Sequence, residues 1–241
     1  MPPERESPTW LDYFSGGVPT GEFFRMTLED LAMIVDESSK RPSRVNEVCY
    51  IGLIAYFEAF CKDHFASVLN IEPTLLGALR QQGQDIQIDP TRLIELQEEW
   101  PYRLGFLVAE KFDFGTPQKV NALYGALLKV SPFSKDEATF YEKMLNDRNL
   151  LVHHGGTHTF TYLRQAKLGT DGAGYRPYFS SLPVTAEYFE KRRVFVEGIA
   201  KKTLKTTHAA LKHYSTELGV QYTPEREKAM NAFLWWGEEK I

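Results

Sequence analysis

The chain has 241 residues, of which 43% are hydrophobic and 13% aromatic, and its formal net charge is -4 at pH 7. That is enough apolar material for a sizeable core, which excludes wholesale disorder, and the charge excludes a strongly basic nucleic-acid binder. Any RNA contact must come from a local patch rather than the global field.

Residues 1–22 are rich in Pro, Gly and Ser and read as an irregular N-terminal arm. No apolar run of the leader kind follows the first Met, so no signal peptide is expected. "FFRMTLEDLAMIVDES" (23–38) has helical spacing at Leu28, Leu31, Ile34 and Val35. Ser43 then offers an N-cap for the longest periodic segment, 44–70, about 40 Å long if unbroken. Cys49 and Cys61 sit twelve residues apart within it, about 18 Å of rise, too far to bridge. They read as reduced, buried thiols of a cytoplasmic protein.

Pro73 opens a short helix to Arg80, and "QQGQ" is a loop. Asp89-Pro90 starts a helix to about Trp100, with a further helical stretch to about Phe112. Thr116-Pro117 repeats that start signal for "QKVNALYGALLKV". Ser134 and Glu137 form a capping-box pattern for a helix that stops at Gly155-Gly156. Residues 157–183 alternate Thr with aromatic or apolar residues and carry the turn signal "TDGAG", so a small β-hairpin or long loop is expected. Thr185 caps a long helix to about 218, and residues 219–241 form a tail or short helix ending in "FLWW" (233–236). The sum is an all-α antiparallel bundle over 23–218, with extra helices and one non-helical insertion. No stretch reaches the length of a membrane span.

Two polar residues interrupt apolar seams. Stepping through Tyr141, Leu145, Arg148 and Val152 gives one face of helix 134–154, with Asn149 on the same broad face and Phe140, Met144 and Leu151 on a neighbouring track. In the helix 44–70, Glu58 sits in the stripe of Ile51, Ile54, Cys61 and Phe65. A buried charge needs a partner, and the economical pairing is Glu58 with Arg148; a salt bridge that only fixes helix register is the plainer reading. His153 follows Arg148 by five residues, about 140° around the helix, so one ideal helix does not bring the two heads together. Unwinding at Gly155-Gly156, or two copies meeting across a two-fold axis, would. His153 and His154 also suit the negative end of a helix dipole without any function.

The run "RNLLVHHGG" at the end of a late bundle helix resembles the HEPN superfamily, whose motif is Arg, four to six residues, then His, often with a polar residue directly after the Arg. Here those positions are Arg148, Asn149 and His153, with His154 as a second register. "IGLIAYFEAFCKDHFASVLN" is similar to the first helix of HEPN families, with Glu58 at the acidic position. The resemblance, which is to members similar to the RiboL-PSP-HEPN and MAE-type families, spans roughly 44–155 and the helix 185–218. It implies a four- or five-helix bundle that forms a homodimer, with two motifs facing one cleft. In active members it implies an endoribonuclease that needs no metal or other cofactor, in a defence or toxin–antitoxin setting with an antitoxin or other protein partner. The residue types suit that chemistry. RNA carries its own 2′-hydroxyl nucleophile, an imidazole exchanges protons near neutral pH, and a guanidinium holds phosphate.

Other readings compete. "HHGGTH" offers His153, His154 and His158 to a metal, but adjacent imidazoles on a helix point apart. No "GxSxG" and no phosphate loop is present. A non-catalytic RNA-binding or protein-interaction module is the serious rival. Lys191, Arg192 and Arg193, followed by Lys201, Lys202 and Lys205, would flank an RNA path or simply form a solvated helix face. The aromatics of "FLWW" would meet a partner or pack back on the bundle.

Overall fold

A computed structural model describes residues 7–35, 41–84, 86–166, 180–237 and 239–240. The fold is all-α. In chain order the helices are α1 (Thr20–Ile34), α2 (Arg44–Ile71), α3 (Leu76–Gln81), α4 (Pro90–Leu96), α5 (Trp100–Ala109), α6 (Pro117–Leu128), α7 (Lys135–His154), α8 (Phe160–Gln165), α9 (Ala186–Leu218) and α10 (Pro224–Asn231). Among the described residues, strand is confined to a two-residue antiparallel pair, Trp235–Trp236 with Glu239–Lys240, and a single bridge between Thr157 and Ser181.

The start signals act as their chemistry requires. Asp89 accepts from the Thr91 N–H and Thr116 from the Lys119 N–H, each with Pro in the first turn, where its missing donor costs nothing. Ser134 and Glu137 complete a reciprocal capping box on α7. Two expectations change. The arm 1–22 is not irregular throughout: α1 begins at Thr20, and two turns of 3-10 helix precede it at Trp10–Tyr13 and Ser15–Gly17. The alternation in "THTFTYLRQ" is not a strand either, because Thr159 caps α8 by accepting from the Tyr162 N–H at 3.2 Å. The "TDGAG" turn and most of "YRPYFS" lie outside the described residues, as do residues 36–38 of the first expected helix.

The chain forms two compact units. The first takes residues up to Arg25, then 58–132 and 199–241. Its core is aromatic: Phe24 stacks on Phe60 at 4.9 Å, and Phe65 meets Phe112, Phe114 and Tyr124 edge-on. Each such ring taken fully out of water contributes roughly 1.5–3 kcal/mol. Gly105 lets α5 lie directly on α2, since a Cβ there would fall 2.0 Å from the Ala66 carbonyl oxygen. The Gly105 N–H donates to Asn70 Oδ1 at 2.7 Å, and Asn70 Nδ2 donates to the Tyr13 carbonyl at 3.2 Å. That pair of bonds anchors the N-terminal arm. The "FLWW" aromatics pack within this unit: Phe233 is buried, and Trp235 meets Trp10 at 5.1 Å.

His64 sits at the centre of the same unit, fully buried. Its ring lies parallel to Phe60 and near-parallel to Tyr124, with Phe233 edge-on. Thr20 and Thr207 hydroxyls satisfy its nitrogens at 3.2 and 2.7 Å. Burial lowers its pKa to about 3, so it stays neutral.

The second unit takes residues 26–57 and 133–198. Leu28, Leu31 and Val35 are buried as expected, but Ile34 is exposed. Phe57 meets Phe133 at 6.0 Å and Tyr141 at 5.3 Å, both edge-on. The Tyr50 hydroxyl donates to the Met144 carbonyl at 2.9 Å, tying α2 to α7. Asn46 Nδ2 donates to the Val184 carbonyl at 3.3 Å and holds the chain entering α9. Both cysteines are buried and free, Cys49 in this unit and Cys61 in the other. Among the described residues no helix is long and apolar enough to cross a membrane.

Candidate functional site

The end of α7 is built with more care than a plain helix stop. Gly155 turns left-handed at φ 58°, and Gly156 follows at φ 82°. Their N–H groups donate to the Leu151 and Leu150 carbonyls at 3.1 and 3.2 Å. Arg44 donates to the Gly155 carbonyl at 3.1 Å. The returning chain adds Leu182 N–H to the Gly156 carbonyl at 2.9 Å and His158 N–H to the Ser180 carbonyl at 3.0 Å. The last turn therefore keeps its helical form, and His153 and His154 stand exposed on it.

α8 is held against α7 by one polar cluster. Asp147, at 8% exposure, is the buried charge of α7. The Tyr162 hydroxyl donates to its Oδ1 at 2.7 Å, and the Tyr188 hydroxyl donates to its Oδ2. Burial above all, reinforced by Tyr50 and the Asp147 charge, pushes the Tyr188 hydroxyl's pKa far up, so it remains a donor. Arg192 lies 4.0 Å from the carboxylate, with its guanidinium 3.3 Å over the Tyr188 ring and its Nη1 donating to the Tyr188 carbonyl at 3.2 Å. A carboxylate with two hydroxyl donors and a cation behind it is a satisfied structural group.

The adjacent side of α7 is open. A cleft of about 370 Å³ lies between α7 and α8. α7 contributes Asn146, Asn149, Leu150, His153 and His154, positions three and four apart and so on one stripe. α8 and its cap contribute Thr159, Thr161, Tyr162 and Gln165. Three of the expected site residues, Asn149, His153 and His154, thus meet in one cleft.

Arg148 stands one position off that stripe, half-buried, and donates from Nη1 to Asn149 Oδ1 at 3.1 Å. It reaches the cleft through the asparagine. The face expected from Tyr141, Leu145, Arg148 and Val152 is corrected accordingly: the buried track is Tyr141, Met144, Asp147, Leu150 and Leu151, while Val152 is about half exposed. Glu58 is half-buried and belongs to the first unit, whereas Arg148 belongs to the second. A Cβ on Gly115 would stand 3.5 Å from the Glu58 carboxylate.

The other expected positions sort by neighbours. Lys191 pairs with Glu187 at 2.7 Å, and Arg193 with Glu190 and Glu197 at 2.7 and 2.9 Å. Arg192 is committed to the Asp147 cluster. Surface pairs such as that of Lys191 are weak and exchangeable, but the Arg192 arrangement is not. His158 is buried and stacked on Tyr162 at 5.2 Å, away from solvent, unlike His153 and His154. Among the described residues no group of three or more His, Cys, Asp or Glu is placed to hold a metal ion.

Sequence reasoning missed Asp147 and the whole α8 wall. Asp147 carried a readable signal, because it falls three residues after Met144 and four before Leu151, on the apolar track. The α8 wall carried almost none, since its placement depends on Tyr162 reaching Asp147. No protein-family model matches the chain, and neither a curated protein nor a solved structure does.

Proposed function

We propose that the chain is a metal-independent endoribonuclease of the HEPN type, acting through the end of α7. One observation carries the reading: Asn149 and His153 line one open cleft, and Arg148 is bonded to that asparagine. In the reaction, His153 removes the proton from an RNA 2′-hydroxyl. The 2′-oxygen bonds to the adjacent phosphorus, the bond from phosphorus to the 5′-oxygen breaks, and that oxygen takes up a proton as it leaves. The products are a 2′,3′-cyclic phosphate and a 5′-hydroxyl. Arg148 stabilises charge growing on the phosphate, and Asn149 fixes the guanidinium. His154, in the same cleft, is the second candidate for proton delivery.

Arg148 and His153 leave the helix about 140° apart, so one copy presents them on different sides. A homodimer with two motifs facing each other would let each copy supply what the other lacks. A non-catalytic RNA-binding or protein-interaction role is the second reading; the ion pairs of Lys191 and Arg193 count against a free basic path on α9 in either reading.

The test is a mixed RNA substrate incubated with the protein in EDTA, beside His153→Ala and Arg148→Ala. Cleavage that survives chelation and is lost in both variants is the expected result. An inert parent, or variants that cut as well as the parent, removes the catalytic assignment.

A further inference from the structure

The cleft beside His153 is unusual in what lines it. Among the described lining residues there is no lysine, arginine, aspartate or glutamate. A site that gripped phosphate would be lined by cations or by a fan of backbone N–H groups. A site for an apolar ligand would be lined by aliphatic carbon. Here the lining is led by side-chain amides: Asn146 and Asn149 on one wall and Gln165 on the other. An amide carries a donor and an acceptor side by side, which is the pattern at the edge of a nucleobase. Asn149 spends its Oδ1 on Arg148, leaving Nδ2 as the donor.

The rest of the wall suits a flat heterocycle. Tyr162 is 8% exposed and has its hydroxyl engaged by Asp147, so the little it leaves to the cleft is ring carbon rather than a hydrogen bond. Leu150, only 3% exposed, lies beneath the cleft and keeps its floor aliphatic. Unpaired RNA bases are held in this way, faces on apolar or aromatic surface and edges on polar side chains.

We propose that this cleft holds a single unpaired base of the RNA strand, next to the phosphate on which the motif acts, and so sets where the strand is cut. The inference rests on the nuclease reading for its consequence at the cut, but the base site itself has its own readout. Asn146 and Gln165 are positioning residues for the base edge. Asn146 is half-buried and Gln165 exposed, so replacing them does not open the core. Thr161, exposed on the same wall, is available as a second, independent replacement.

Labelled 2′-deoxy homo-oligonucleotides of the four bases, which lack the nucleophile and are not cut, are titrated onto the full chain and its Asn146→Ala, Gln165→Leu and Thr161→Val variants. The expected result is a preference of about fivefold or more for one base, lost in Asn146→Ala or Gln165→Leu. Equal affinity for all four, or a preference untouched in all three variants, overturns the base site. Cut positions on a mixed RNA are mapped in parallel. Cleavage with no base favoured at any position beside the cut also overturns it. Selective binding without cleavage supports the base site and removes the nuclease reading alone.

Discussion

α7 carries polar residues on two sides, and the two sides have opposite fates. On one, Asp147 is buried under two tyrosine hydroxyls and the Arg192 guanidinium. On the other, Asn149, His153 and His154 open onto a cleft. On the first side the carboxylate is saturated, because a buried carboxylate without partners would cost several kcal/mol. The second has spare hydrogen-bonding capacity facing solvent, which is what a ligand needs. The same contrast separates His64, sealed among rings and held neutral, from His153 at an open helix end. Polar residues in this protein are structural where partners close around them and available for chemistry where they do not.

The contrast breaks most visibly at Asp147. Asp147→Ala leaves two hydroxyls without their acceptor and Arg192 without its counter-charge, and a loss of about 3–5 kcal/mol in urea unfolding is expected. A loss under about 0.5 kcal/mol, the size of an ordinary surface change, would mean that this side is not the saturated one. On the open side, His153→Ala should leave unfolding within about 0.5 kcal/mol of the parent while RNA cleavage falls about 10²–10⁴-fold. A variant that unfolds much earlier would move His153 to the structural side.

His64 sharpens the comparison through pH. Its folded pKa is about 3 against an ordinary 6.5, so between those values the unfolded chain binds more protons than the folded one. Stability is then full above pH 6.5 and falls by about 1.4 kcal/mol per pH unit on acidification toward 3. Carboxylates held low, such as Glu22 beside Arg25, act in the same direction. Comparing the parent with His64→Gln isolates the imidazole: the variant should lose stability less steeply over this window, and parallel slopes would show that His64 is not sealed. The smallest effect belongs to Gly155→Ala. Nothing lies within 4 Å of a Cβ there, so only the left-handed backbone at φ 58° opposes it, at about 1 kcal/mol. Gly155→Asn should cost less, and equal costs would point to packing instead.

Much of this architecture is legible in the residues. Asp89-Pro90, Thr116-Pro117 and the Ser134/Glu137 box mark helix starts because caps satisfy orphan N–H groups locally, and Gly155 marks the end of α7 for the same local reason. What escapes is non-local. The Thr and aromatic alternation after Gly156 mimics a strand, yet the Tyr162 hydroxyl's reach to Asp147 fits a short helix. Tyr13 and Phe14 look like part of a loose arm until Asn70 is seen holding the Tyr13 carbonyl. The open side of α7 was half legible: the spacing of Asn149 and His153 places them on one stripe, but nothing in "NDRNLLVHH" shows which residues form the facing wall.

The most direct measurement of the central claim pairs an RNA with its fully 2′-O-methylated counterpart, each incubated in EDTA with the parent and with His153→Ala. The account predicts that only the unmodified RNA with the parent is cut, to fragments ending in 2′,3′-cyclic phosphate. Cleavage of the methylated strand, cleavage by His153→Ala at the parent's rate, or no cleavage at all would contradict it.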